Sequence, residues 1–296
     1  MSATRSAPLL INPGSTDGTL TIGETPAGDP VSYRLTRHYR AESGLVVGGA
    51  GAGINNLLTV LAIQARASDI PVATVYIDGS SDDDRRRNHA LHDAATVSLH
   101  DADVAEASIT ALEAAVTARA QHLRERGMAP YEAAGFPVLL VLIKDAPALF
   151  EARAKRWNRV LLQTGALGIA VVAAVPNLLS YSFGTSMGRI VPDRGSASLR
   201  SALLSTLMVL RTYCWHTDQE LRYMVEGCAS SMPNEAGQGQ LIRDRVARRF
   251  ESYWLSTTED PAEIEHARRQ WLRRYPDNTL DTPTRDAIQH VLSSRN

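Results

Sequence analysis

Cysteine is nearly absent from this sequence: Cys214 and Cys228 are the only two. Neither sits in a C-x-x-C or Cys/His ligand spacing, which argues against a disulfide scaffold or a zinc site. Long apolar runs are missing too. The longest, Val138–Ile143 and Ile169–Pro176, are strand-sized, well short of the roughly 18 residues a membrane helix requires, so no membrane span is predicted. The first residues, Met1 to Pro8, hold one Arg and no apolar segment behind it, so no secretory leader is read and a cytoplasmic location is expected. A charge excess of either sign is lacking: 31 Lys+Arg stand against 32 Asp+Glu, net −1, so any contact with DNA must be local rather than driven by overall charge. The densest of the eight scattered histidines, His89, His92 and His100, fall in a polar connecting region and read as solvated loop side chains rather than metal ligands. What remains is an ordinary globular composition, 44% hydrophobic and 21% charged, over 296 residues. That length implies one large domain, or one domain with appendages.

Residues 1–18 mix Ser, Pro, Gly and Thr and read as a flexible tail. Thr19–Gly23 and Val31–Leu35 alternate in strand fashion around the turn residues 26–30, which predicts an entry hairpin. A short apolar run, Gly44–Val47, leads into a glycine-rich loop and then a helix over Asn55–Arg66. Pro71–Ile77, Val138–Ile143 and Ile169–Val175 are continuous apolar strands, separated by helices expected over Val104–Arg126 and Ala148–Gln163. Unbroken apolar strands alternating with helices predict an α/β fold with a mainly parallel sheet covered on both faces. Further on, Ser198–Leu204 reads as a short helix, Leu207–Arg211 as a strand, and Gln219–Val225 as a helical turn or two. Gly239–Ile242 and Arg248–Leu255 read as an antiparallel pair, and Pro261–Arg274 and Thr284–Ser293 as closing helices.

The loop, Gly48-Gly49-Ala50-Gly51-Ala52-Gly53-Ile54-Asn55, has the strand–glycine–helix context of a phosphate-binding loop. In G-x-x-x-x-G-K-[S/T] the glycines let backbone N–H groups wrap phosphate, Lys neutralises it and Ser/Thr ligates magnesium. Here Ile54 stands at the Lys position and Asn55 at the hydroxyl position. A dinucleotide-binding reading stays open, because Asp78 ends the next strand as such a site demands, although Ile54 takes the place of its third glycine.

In their order and spacing these segments resemble the FtsK/SpoIIIE family of motor ATPases over residues 19–258. Leu20–Leu35 is similar to the hairpin that introduces the family's motor, Leu45–Leu58 to its phosphate loop, and Val72–Gly79 to the following strand. Thr110–Glu132 resembles its long helix, Val138–Phe150 its Walker B region, Gly168–Pro176 its next strand, and Leu207–Arg211 the strand after that. Gly227 and Gly237–Gly239 fit its late glycine-rich passage. The resemblance implies a RecA-like P-loop NTPase fold, a ring-type homo- or hetero-oligomer, ATP with magnesium as ligand, and a place in DNA translocation, conjugation or type VII-like secretion, with DNA or a secreted protein as cargo. Residues 259–296 follow as a helical extension.

Carried over position by position, the resemblance places the Walker B aspartate at Asp145 and substitutes the rest. Lys becomes Ile54, Ser/Thr becomes Asn55, the catalytic Glu becomes Ala146, and the sensor Gln becomes Val175 or Pro176. Phosphoryl transfer depends on positioning and charge neutralisation, so the expected function is that of a pseudo-ATPase binding ATP weakly, or else of a partner-binding module. Other readings stay paired. Asp145 is a metal ligand or the cap of a helix starting near Pro147. Arg200 and Arg211 reach a neighbouring subunit's nucleotide or make surface salt bridges. Arg243, Arg245, Arg248 and Arg249, with Phe250, Tyr253 and Trp254, form a basic-aromatic nucleic-acid surface or a solvated strand edge with an aromatic inner face.

Overall fold

A computed structural model describes residues 18–80, 89–100, 103–128, 131–151, 153–177, 203, 206–210, 236–244, 246–256 and 260–294. The expected hairpin forms from β1 (Thr19–Glu24) and β2 (Pro30–Arg34), paired antiparallel. A small ribbon, β3 (Thr36–Arg37) with β4 (Arg40–Ala41), leads to β5 (Gly44–Val47) and helix α1 (Ile54–Arg66). Then come β6 (Val72–Asp78), α2 (His89–Ala94), β7 (Val97–Leu99), the long helix α3 (Val104–Glu125) and β8 (Val138–Lys144). They are followed by α4 (Ala146–Phe150), α5 (Ala154–Thr164) and β9 (Ile169–Val175). The last described elements are β10 (Thr206–Leu210), β11 (Gln238–Arg243), β12 (Val246–Ser252), α6 (Pro261–Arg274) and α7 (Thr282–Ser293).

Ten of the described strands make one sheet, ordered β2-β1-β12-β11-β10-β5-β9-β8-β6-β7. From β10 to β7 every pairing is parallel, and from β10 to β2 every pairing is antiparallel. The division follows from burial. β5, β6 and β9 are buried along their whole length, as strands covered on both faces must be, whereas β12 exposes four of its seven residues.

Two expectations for the connecting regions change. The helix expected over 148–163 is broken in two, because Glu151 is extended (φ −55°, ψ 134°) after the single turn of α4. The break lets Trp157 turn back into the core, where it meets the Phe150 ring edge-on and donates from Nε1 to the Leu149 carbonyl at 3.1 Å. No Pro or Gly marks it in the sequence. The histidine region contains α2 and β7 rather than plain loop, and His92 is packed inward with its side chain 8% exposed.

The C-terminal helices pack onto the parallel half of the sheet. Asp281 and Asp260, each followed by Pro within the first turn, cap α7 and α6 by accepting from Thr284 N and Ala262 N. Between these helices the Asp277 carboxylate accepts hydrogen bonds from the backbone N–H and hydroxyl of both Thr74 and Thr96, and lies 3.5 Å from Arg66. The buried Arg119 of α3 joins α7 to the strand entrances below it. It donates to Thr284 Oγ1, to the carbonyls of Pro137, Leu167 and Gly168, and to Asp281 at 2.6 Å. Among the described residues no helix is long and apolar enough to cross a membrane.

Candidate functional site

At the carboxyl ends of β5, β8 and β9 the sheet opens into a cavity of about 540 Å³. This is where open α/β sheets place their ligands, because loops diverge there and helix N-termini point inward. Every residue from Gly48 to Asn55 lines it, and so does Asp145. The glycine loop and Asp145, remote in sequence, therefore share one pocket. Arg200 and Arg211 lie outside the described residues, as do the segment expected over 219–225 and all but Leu203 of the helix expected over Ser198–Leu204.

The loop is tied down at three points. Gly48 N donates to Val175 O at 3.1 Å, Ala52 N to Gly49 O at 3.1 Å, and Gly237 N to Ala52 O at 3.0 Å. Gly53 starts α1 with φ +98°, a conformation that side chains with a Cβ rarely adopt. A Cβ there would also press to 3.3 Å from Gly237 N. The helix is anchored from below by the buried Asn56, whose amide donates to Tyr253 O at 2.6 Å. The start of α1, Ile54 to Asn56, lines the cavity, and the backbone N–H groups of a helix N-terminus suit an anion.

Asp145 occupies the N-cap position of α4, yet its side chain makes no capping hydrogen bond, so the cap reading is not what the structure shows. Its backbone is left-handed (φ 53°, ψ 53°), a conformation sparsely populated outside glycine. Ala146 next to it is fully buried. Its methyl group is packed in the core and does not line the cavity.

Asp78, whose place at the end of β6 kept a dinucleotide reading open, is fully buried. In the order of the sheet β9 and β8 stand between β5 and β6, so Asp78 is not on the strand beside the glycine loop as that reading needs. Its carboxylate is consumed instead by Ser80, through N–H and hydroxyl, by the Tyr76 hydroxyl at 3.2 Å and by His92 Nε2 at 3.3 Å. Burial opposes ionisation of Asp78, but the His92 and Ser80 hydrogen bonds and the Lys144 charge outweigh it. They hold the carboxyl well below the usual range. His92 completes its own bonding through Nδ1 to Ser98 Oγ at 2.6 Å. Among the described residues no group of His, Cys, Asp and Glu is arranged to hold a metal.

Among the described residues, which leave out Arg245, the basic-aromatic surface does not form. β12 lies between β1 and β11 and is no edge, and while Arg248 and Arg249 are exposed, Phe250 and Tyr253 are buried. Trp254 turns to the other side and lines the cavity, held by a contact in which any Cβ on Gly237 would fall 2.7 Å from its ring. Among the further lining residues, the polar side chains of Asn56, Ser80, Lys144 and Arg268 were not singled out in the sequence. Lys144 had one legible signal, its place directly before Asp145 at the end of a buried strand. Arg268 had none, because it comes from α6, more than 200 positions after the loop.

No family model matches the sequence, and a search of curated proteins finds none similar. Solved structures do match. The cytoplasmic domain of the type VII secretion ATPase EccC of Thermomonospora curvata superimposes on 93% of this chain with TM-score 0.65 at 17% identity, and the chain spans 34% of that protein's length. ATPases 2 and 3 of the same EccC, in complex with a signal sequence peptide, match over 90% of this chain and 49% of theirs, with TM-score 0.64 and 16% identity. The conjugation coupling protein TcpA of pCW3, with ATPγS, matches over 89% of this chain and 75% of its own, with TM-score 0.55 and 14% identity. At such identities the likeness establishes the fold: a RecA-like P-loop ATPase fold of the kind found in secretion and conjugation ATPases.

Proposed function

We propose that this chain is a nucleotide-holding domain that does not hydrolyse ATP, acting within a secretion or DNA-transfer assembly. The observation that supports it best is a cavity lined by a glycine loop shaped to take phosphate, with Ile54 in place of a cation, while Ala146, in place of a base, is buried beside the lining residue Asp145. Losing one preorganised charge partner costs about 3–4 kcal/mol of transition-state stabilisation at comparable sites. Several are missing here, and phosphoryl transfer has little else to draw on. A glycine loop acting alone holds ATP only toward the millimolar range, about −4 kcal/mol.

In this reading residues 19–258 form the motor-like domain and 259–296 its helical extension. The chain joins a ring of like or unlike subunits, with Arg200 and Arg211 as the arginines that meet a neighbour's nucleotide. Its cargo is a secreted protein or DNA. The likeness to EccC ATPase domains that were solved with a signal sequence peptide favours the first. The test is phosphate release with ATP and magnesium, with and without duplex DNA, alongside equilibrium binding of ATP. Binding without turnover is expected. Ile54→Lys alone leaves turnover absent, because residues that act as a unit do not contribute additively. Magnesium-dependent phosphate release that Asp145→Ala abolishes would overturn the reading.

A further inference from the structure

Two cations line the cavity, Arg268 buried and Lys144 partly buried, and neither belongs to the glycine loop. Lys144 ends β8, with its side chain 12% exposed. Its ammonium group donates to Ser80 Oγ at 3.2 Å and lies 3.6 Å from Asp78 Oδ2, beyond hydrogen-bond reach. Asp78 already accepts from Ser80, Tyr76 and His92. Among the described residues the three donors of Lys144 thus meet a single acceptor. Arg268, on α6, also lines the cavity and is 9% exposed. Its Nε has no hydrogen-bond partner, and its nearest carboxylate, Glu265, is 3.7 Å from a terminal guanidinium nitrogen. Burial of Arg268 works against its charge, pushing its pKa down, while Glu265 supports the charge. A buried cation with an unused donor is unfavourable until an anion supplies the acceptor. The chain contains only two lysines, Lys144 and Lys155, among its 31 basic residues. One of the two stands in this pocket, beside the loop that lacks one.

We propose that Lys144 and Arg268 are the phosphate-binding cations of this pocket, gripping the polyphosphate of a nucleotide from β8 and α6 in place of the lysine missing at Ile54. This deepens the reading given above and depends on it. Backbone N–H groups at the start of α1 hold the phosphates, and the two cations neutralise them. Nucleotide binding then fastens α6 to the loop, coupling the C-terminal helices to the occupancy of the pocket.

The experiment measures ATP binding through Trp254 fluorescence, with inorganic tripolyphosphate and adenosine as competitors. Tripolyphosphate displaces ATP and adenosine does not. Lys144→Met and Arg268→Met each weaken ATP by roughly tenfold to a hundredfold, the worth of one charge-assisted hydrogen bond, and Arg268→Lys retains part of the affinity. A second readout needs no substitution. Acetylation of lysines by an amine-reactive ester, read by mass spectrometry, should show Lys144 protected by ATP and by tripolyphosphate while the exposed Lys155 reacts equally with and without them. If ATP binds the wild type but Lys144→Met and Arg268→Met, with unchanged ligand-free melting, bind it equally well, or if Lys144 is not protected, this assignment is wrong and the nucleotide reading stands. If the wild type shows no saturable ATP binding at all, the nucleotide reading fails and this assignment with it.

Discussion

Replacing Arg119 by Met tests the physical account of how the C-terminal helices are held, and through them the position of Arg268. Arg119 is fully buried and makes five hydrogen bonds, three of them to backbone carbonyls and one, at 2.6 Å, to Asp281. Its guanidinium also lies 5.1 Å from the centre of the Phe136 ring. Burial lowers the pKa of Arg119, while Asp281 supports the charge. Met fills most of the volume but leaves three carbonyls without this donor and Asp281, whose side chain is 7% exposed, without its counter-ion. Breaking a buried pair by removing one partner costs about 3–5 kcal/mol, a large part of the 5–15 kcal/mol typical of a folded domain. Asp281→Asn should cost less, because the amide oxygen still caps α7 by accepting from Thr284 N. The double variant should fall short of the sum of the two, with a coupling energy of about 1–3 kcal/mol. Urea denaturation followed by circular dichroism provides the numbers. A loss below about 1 kcal/mol for Arg119→Met, or strict additivity with Asp281→Asn, would refute the reasoning and show α7 to be held by its apolar face alone.

Gly53→Val should destabilise the fold by about 1–3 kcal/mol from the left-handed backbone alone, and by more if Gly237 cannot retreat from the new Cβ. A thermal melt unchanged from wild type would show that the loop can relax. Acid should weaken the protein through Asp78 and Glu106. Glu106 is brought down to about 2 by hydrogen bonds from Arg156 and Arg153, and Asp78 is held well below its ordinary value against the opposing effect of burial. A depressed carboxyl contributes stability that is present above its unfolded value, near pH 4, and is lost as pH falls through the folded value. The urea midpoint should therefore drop below about pH 4.5, and Asp78→Asn should flatten that slope. An identical slope in the variant would remove Asp78 from the explanation.

Much of the architecture was legible because it is written in local pattern. Unbroken apolar runs marked β6, β8 and β9, turn residues 26–30 marked the hairpin, and Asp260-Pro261 marked the start of α6. The glycine loop announced the site in the same way, since strand, glycines and helix are contiguous. The strand order was not contiguous information, and it alone removed the dinucleotide reading, by placing two strands between β5 and β6. His92 looked like a loop residue because nothing nearby in sequence shows that Asp78, 14 positions earlier, waits for it. The split after α4 carried no breaker residue, being decided by where Trp157 could be buried. By itself the sequence determined which side chains the loop carries, since Ile54 and Asn55 are identities that no folding can alter. Only the tertiary structure decided what stands around that loop. Cavity walls assemble from strand ends and a helix far apart in the chain, and the closeness of Lys144 and Arg268 to the pocket is a product of packing that no spacing in the sequence encodes.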